Sequence, residues 1–204
     1  MADFAQPLLE QDADSDPFRQ FEAWFEHAHA AVRAPEAAAV ATADAAGRPS
    51  VRMVLVKQAG PAGFVFFTNY ESRKAQELAA NPRAALLFHW DELGRQVRLE
   101  GPIERVSAQD TESYVRSRPR ASQLSALASP QSRAIDSRET LERSVAELAA
   151  RYEGQELPLP GWWGGFRLIP EAFEFWQNRD DRLHDRLRYT RDAGGGWRRD
   201  RLAP

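Results

Sequence analysis

The sequence has no cysteine. That excludes disulfides, thiolate metal sites and a catalytic thiol. It has four histidines, none at metal-ligand spacing, so no zinc site is expected. No apolar run approaches the ~18 residues that a membrane-spanning helix needs. The N-terminal stretch "MADFAQPLLEQDADSD" is acidic and lacks a basic start, so no signal peptide is expected. Neither charge dominates: 27 Lys+Arg stand against 30 Asp+Glu, a formal charge of -3. A nucleic-acid binder would be strongly basic. No Walker loop and no GxGxxG after a strand is present, so the glycine cradles for nucleotides are missing. No Ser-His-Asp set is visible from spacing. These absences predict a soluble, cytoplasmic protein.

What is present suits one domain. The chain has 204 residues, and a chain of that size buries roughly 70% of its unfolded surface. Residues 1–15 read as a flexible tail and residues 16–204 as a single domain. Asp16-Pro17 is a helix start, with Asp as N-cap and Pro at the first helical position. Phe18, Phe21, Trp24 and Phe25 follow at helical spacing. "AAAVATAD", "SVRMVLVK" and "GFVFFTN" read as strands separated by glycine and proline turns. "ESRKAQELAAN" is a short helix that stops at Asn81-Pro82. "RAALLFHW" and "RQVRLEGPIERV" form a strand pair joined by "DELG". Ser107 and Asp110 make a capping box for a helix that Pro119 closes. Asp136 and Glu139 make a second box, ahead of a helix with Leu141, Val145, Leu148 and Tyr152 on one face and Gly154 at its end. "GGFRLIP", "AFEFWQ", "RLRYTRD" and "WRRDRLAP" are the last strands. About seven or eight mostly sequential strands with three or four outer helices favour an α+β, mainly antiparallel barrel or sheet over a parallel fold.

The donors stand in telling places. Along "SVRMVLVK" side chains alternate, so Arg52 shares a face with Val54 and Val56, and Lys57 shares the other with Val51, Met53 and Leu55. A cation on an apolar face needs an anion or a route to solvent. In "ESRKAQELA", Arg73 and Lys74 fall in the first helical turn, where the dipole disfavours cations. An anion bound there would reverse that, and phosphate is the natural one. Tyr114, Arg118 and Ser122 recur four apart, a set that suits a phosphate ester. Pro119 argues against a regular helix through them. "FWQNRDDRLHDR", residues 175–186, sets arginines and a histidine beside aromatics. It is either a solvated loop or a pocket wall for a flat anion. The residues alone reach a β-rich domain with two anion sites and no reaction.

The motifs "RMVLVK", "FFTNYESRKAQELAANPR", "RQVRLEG", "YVRSRPRASQ", "SPQS", "PLPGWWGGFR", "FEFWQNRDDRLHDR" and "DRLAP" resemble, in order and spacing, those of the pyridoxine/pyridoxamine 5'-phosphate oxidases. The resemblance runs from about Asp16 to the C-terminus. It implies an FMN-binding split β-barrel and a homodimer with FMN at the subunit interface. It implies oxidation of pyridoxine or pyridoxamine 5'-phosphate by oxygen to pyridoxal 5'-phosphate, with peroxide released, and ammonia from the amine.

It also assigns residues. Arg52, Arg73 and Lys74 match groups around the FMN phosphate, with Gln131 and Ser132 arriving from the partner subunit. Met53, Val54, Leu55, Val56 and Lys57 line the flavin, and Phe67 and Thr68 touch it. Gln96, Trp176 and Arg186 match contacts to the flavin ring and its chain. Lys57, Tyr114, Arg118 and Ser122 match the clamp on the substrate phosphate. Arg182, Leu183 and His184 match the residues over the substrate ring, with Arg182 and His184 catalytic. The sequence departs from the family in two places. Phe67 stands where the family has Tyr, and no Arg-x-x-Tyr lid segment stands before Asp16. A flavin oxidase acting on another aromatic, as in phenazine pathways, or a non-catalytic FMN or pyridoxal phosphate carrier, is the alternative.

Overall fold

The computed structural model describes residues 6–204. Along them run α1 (Pro17–Ala31), β1 (Ala37–Ala43), β2 (Pro49–Gln58), β3 (Phe64–Asn69) and α2 (Arg73–Ala80). Then come β4 (Arg83–Trp90), β5 (Arg95–Arg105), α3 (Ala108–Ser117), α4 (Arg120–Ala128) and α5 (Arg138–Arg151). The chain ends with β6 (Trp163–Leu168), β7 (Ala172–Gln177), β8 (Asp185–Arg191) and β9 (Trp197–Arg201). Nine strands and five α-helices therefore replace the smaller numbers expected. The extra helix is α4, which starts afresh at Pro119 because proline cannot continue α3.

Six strands close on themselves. β1 pairs with β2, β2 with β3, β3 with β6, β6 with β5, β5 with β4, and β4 with β1, all antiparallel. The barrel is split on one edge of β5, where residues 95–100 pair with β7 and residues 103–105 pair with β6. Gly101 lies between the two partners. A Cβ there would come within 2.0 Å of the Ile169 carbonyl oxygen, so only glycine lets the chains pass. β8 and β9 extend the sheet beyond β7.

The core is aromatic. Phe64, Phe66, Phe88, Trp90, Phe173 and Phe175 are almost wholly buried. α1 lies over them because its own stripe is apolar: Phe21 meets Phe64 and Phe88 at centroid distances of 4.9 and 5.2 Å, and Trp24 meets Phe175 at 5.3 Å. Asp16 caps α1 by accepting from the Phe18 N–H. At α5 the expected cap moves by one: Ser137, not Asp136, accepts from Thr140 N–H. No residue of α5 is buried.

The expected tail also needs correction. Residues 1–5 lie outside the described residues. From Leu8 onward the chain is docked: Leu8 is buried, and its N–H donates to Asp185. Arg201 holds Glu10 through two hydrogen bonds. An apolar anchor and an ion pair explain why an acidic, turn-rich stretch is ordered here. Among the described residues no helix is long and apolar enough to cross a membrane.

Candidate active site

The first cluster forms where α2 meets the barrel. β2 alternates as its sequence predicts. Val56 is buried, Val54 packs against the core, and Val51, Met53 and Leu55 are exposed. Arg52 sits on the inward face, near the barrel end. Its guanidinium donates to Thr42 Oγ1 at 2.5 Å, to Ser50 and to Val40 O, and lies 3.2 Å from the Glu77 carboxylate. Glu77 also accepts from Ser50 and Thr42, each at 2.5 Å, and from Arg73 Nε at 2.8 Å. Burial pushes the Glu77 carboxyl up, but hydrogen bonds from Ser50, Thr42, Arg73 and Arg52 outweigh it and hold it at about 2. Lys74 is different. Its ammonium donates to Thr68 Oγ1 at 2.9 Å and Gln131 Oε1 at 2.8 Å, both neutral. Burial, and then the Arg52 charge, lower its pKa to about 8. Two cations thus share one ionised carboxylate, and a third, Lys74, stands near Arg52 without one, leaving an excess of two positive charges. Ser72 caps α2 by position alone, with no side-chain bond to the first-turn N–H groups. A cationic helix start with free donors suits a dianion.

The second cluster surrounds Arg118. α3 ends at Ser117 and α4 begins after Pro119, so Tyr114, Arg118 and Ser122 do not share one helix face. Tertiary packing brings them together instead. Tyr114 stacks on Phe67 at 3.8 Å, and Trp163 continues the stack at 6.4 Å. The Arg118 guanidinium lies 4.8 Å from the Trp163 ring. Arg118, Ser122, Gln131 and Trp163 line a cavity of about 400 Å³. Buried Nη1 of Arg118 has no hydrogen-bond partner among the described residues. An orphaned guanidinium nitrogen is costly to keep, and a guanidinium at a cavity wall suits an oxyanion.

The third cluster lies on the sheet extension. Gln96, Trp176 and Arg186 stand opposite one another across β5, β7 and β8. Glu174 is buried and binds Arg186 Nε at 2.8 Å and Arg98 at 2.6 Å. Between β7 and β8 the chain makes a tight loop with Asp181 and Arg182 at positive φ, 56° and 62°. Arg182 and Leu183 are exposed. His184 is half-buried, with its ring 4.6 Å from that of Trp176. Its Nδ1 accepts from the Arg179 backbone N–H at 3.1 Å. A neutral ring that accepts at Nδ1 carries its proton on Nε2, so Nε2 is the donor His184 can offer.

Two family models match the chain. Residues 25–152 match pyridoxamine 5'-phosphate oxidase, and residues 163–204 match the pyridoxine 5'-phosphate oxidase C-terminal dimerisation region. The chain belongs to the pyridoxamine 5'-phosphate oxidase family. A pyridoxine/pyridoxamine 5'-phosphate oxidase of Burkholderia vietnamiensis is 57% identical over 200 residues, covering 97% of this chain and 93% of the relative. One of Rubrobacter xylanophilus is 55% identical over 198 residues, covering 97% and 91%. Among solved structures, PhzG of Burkholderia lata, in complex with tetrahydrophenazine-1-carboxylic acid, superposes with a TM-score of 0.89. It is 34% identical, with 100% of this chain and 97% of that one covered. An FMN-binding protein of Nostoc punctiforme shares the fold, with a TM-score of 0.73 at 19% identity and coverage of 93% and 98%.

Against this family background the three clusters sort the expected residues. Arg52, Thr68, Arg73, Lys74 and Gln131 come together, as do Tyr114, Arg118 and Ser122, and Gln96, Trp176 and Arg186. Gln131 requires a correction. It does not wait for a partner subunit but binds Lys74 and Thr68 of its own chain. Ser132 follows it at a positive φ of 72° in a turn that the Arg133–Glu71 ion pair, at 2.9 Å, ties down. Val54 and Val56 turn their side chains to the core, so only their backbone can face a ligand. Met53 and Leu55, with Val51, are the exposed apolar side chains of the strand. Lys57 pairs with Glu36 at 3.5 Å rather than joining the Arg118 cluster. Phe67, where the family Tyr is missing, serves as the stacking partner of Tyr114.

Sequence reasoning missed Glu77, Glu174 and Trp163. Glu77 was within reach: it stands four residues after Arg73 on a short helix, the spacing of an ion pair. Nothing local marks Glu174 or Trp163.

Proposed function

We propose that this chain oxidises pyridoxine 5'-phosphate or pyridoxamine 5'-phosphate to pyridoxal 5'-phosphate with oxygen as acceptor, in the cytoplasm. The substrate carbon gives up two electrons and two protons, and oxygen becomes hydrogen peroxide. The amine substrate also takes up water and releases ammonia. Bound FMN supplies the two-electron relay between substrate and oxygen. The observation that carries the reading is the pair of separate anion sites, Lys74 with Arg52 and Arg73, and the orphaned Arg118. One cofactor phosphate and one substrate phosphate account for both.

In this reading Arg52, Arg73 and Lys74 hold the cofactor phosphate, with the free N–H groups of α2. Thr68 and Gln131 fix the Lys74 ammonium. Arg118, Ser122 and Tyr114 hold the substrate phosphate, which orients the remote reacting carbon. Trp176, Gln96 and Arg186 take the flavin ring and its chain. Arg182 covers the substrate ring, and His184 donates from Nε2 to it. No hydrogen bond, ion pair or ring contact joins the third cluster to the first two among the described residues, and Trp176, Arg182, His184 and Arg186 lie within the stretch matching the dimerisation region. We therefore take the working unit as a homodimer in which a second copy supplies the third cluster.

The test is peroxide release by the flavin-loaded protein. Rapid turnover of pyridoxine 5'-phosphate, and little of unphosphorylated pyridoxine, is expected. A specific observation favours a second reading: an orphaned guanidinium also suits a carboxylate, and the PhzG complex holds one. Oxidation of tetrahydrophenazine-1-carboxylic acid without turnover of either B6 phosphate would establish that reading instead.

Lys74 carries a pH prediction. Its ammonium titrates near 8 in the free protein, and a bound dianion would raise that value. FMN phosphate is dianionic above about pH 6. Binding above pH 8 must therefore recruit a proton, and affinity falls as pH rises. Flavin titrations are expected to show Kd rising about tenfold from about pH 8 to about pH 9.5. In Lys74→Arg, which stays charged, Kd should be flat across that window. A flat wild-type profile would remove Lys74 from the phosphate site.

A further inference from the structure

Asp185 follows His184 directly and opens β8. Its side chain is only 14% exposed, and its carboxylate is densely bound. Oδ1 accepts from Arg201 at 2.7 Å, Oδ2 accepts from the Leu8 N–H at 3.1 Å, and Arg179 Nε lies 3.7 Å from Oδ2. Arg201 in turn grips both oxygens of Glu10, at 2.6 and 2.8 Å, and donates to Leu8 O at 2.8 Å. Three segments far apart in sequence meet at one acid: residues 8–10, the start of β8 and the end of β9. The Arg201 hydrogen bond holds the Glu10 carboxyl at about 2, so the clasp stays charged at working pH.

The loop ahead of Asp185 needs such an anchor. Left-handed backbone at two residues with a Cβ persists only where the surroundings over-determine it. Little presses on the loop from outside, since Leu183 is 71% exposed. Its internal ties include the Arg179 N–H to His184 Nδ1 bond and a Leu183 N–H to Asp180 O bond at 3.2 Å. The Trp176 ring, 4.6 Å away, and the Arg179 N–H hold the His184 ring, and the fixed end beside it sets where the loop delivers that ring.

We infer that Asp185 is a positioning residue. Its carboxylate, clasped by Arg201 and the Leu8 backbone, aims His184 and Arg182 and keeps the His184 Nδ1 acceptor bond in place. The N-terminal segment from Leu8 to Glu10 is part of that support. The inference rests on the proposed oxidase reading for its kinetic arm alone.

Asp185→Asn keeps the shape and removes the charge. In the flavin-loaded dimer, kcat for pyridoxine 5'-phosphate is expected to fall about thirtyfold, with KM within about threefold because the phosphate clamp is untouched. FMN affinity should stay within about twofold. Glu10→Gln, which leaves Asp185 and Arg201 in contact, should give a smaller fall of the same kcat-weighted kind. The second readout is independent of turnover. Nitrogen NMR of the His184 ring should report the Nε2–H tautomer in the wild type and a mixture of tautomers in Asp185→Asn. If Asp185→Asn fails to fold, Glu10→Gln read by the same two measurements takes its place. An unchanged kcat with an unchanged tautomer overturns the inference, and so does an activity loss matched by loss of FMN. A wild type inactive on both B6 phosphates would refute the oxidase reading, and the tautomer result would still decide the role of Asp185.

Discussion

Arg118→Ala is expected to raise KM for pyridoxine 5'-phosphate about thirty- to hundredfold. A charge-assisted bond to a buried guanidinium is worth ~1.5–3 kcal/mol, and each 1.4 kcal/mol is about tenfold. Arg118 Nη1 has no other partner among the described residues, so nothing in the free protein competes for it. The phosphate is remote from the reacting carbon and is held alike in ground and transition states, so most of the loss belongs in KM. A smaller fall in kcat reflects looser orientation. Arg118→Lys should recover only part, because an ammonium cannot present two parallel donors or lie flat on Trp163. FMN affinity should be unaffected, since its phosphate is assigned to the α2 cluster. Steady-state peroxide release at varied substrate, beside a flavin titration, checks both statements. An unchanged KM would exclude Arg118 from the clamp.

Loss of Arg182 or His184 should act on the other side of the same reaction. Both stand on the tight loop beside Trp176, away from the phosphate clusters. His184→Ala is expected to lower kcat/KM on the order of a hundredfold, the scale on which misplacing a reacting ring is felt. The loss should appear in kcat as well, as for an interaction made mainly in the transition state. Arg182→Lys should not restore activity, since a planar guanidinium can cover a ring face and an ammonium cannot. FMN affinity should stay within about threefold in both variants, because the charged phosphate contacts remain. Near-wild-type turnover in both would return the loop to an ordinary surface role.

The electrostatic design of the α2 cluster explains why both phosphate assignments are testable apart. Glu77 neutralises one cation and orders Arg52 and Arg73 before any ligand arrives. A pre-ordered site loses less entropy on binding. Lys74 is left desolvated and without a carboxylate, and is therefore the group most changed by an incoming anion. The Arg118 site works by a different device, an aromatic floor from Trp163 and Tyr114 beneath a single guanidinium.

Local chemistry made most of the elements readable. Asp16-Pro17 starts α1, Ser107 caps α3, and the alternation along β2 places Arg52 inward and Met53 outward, because caps and strand periodicity depend on neighbours in the chain. The cations Arg73 and Lys74 stood out in the first turn of α2 for the same reason, since a helix dipole is a property of one segment. The motif order identified the family and hence the split barrel. Tertiary structure alone decided which chemistry-bearing residues meet. Tyr114, Arg118 and Ser122 meet through packing on Phe67 and Trp163 after proline breaks their helix. Gln131 reaches Lys74 within its own chain, although the turn that carries it lies more than fifty residues away. Leu8 and Glu10 belong to the support of the β7–β8 loop, although 177 residues separate Leu8 from Asp185. Such contacts arise when sheet closure and an aromatic core bring distant segments to one place, and no spacing along the chain records where a closed sheet will bring its ends.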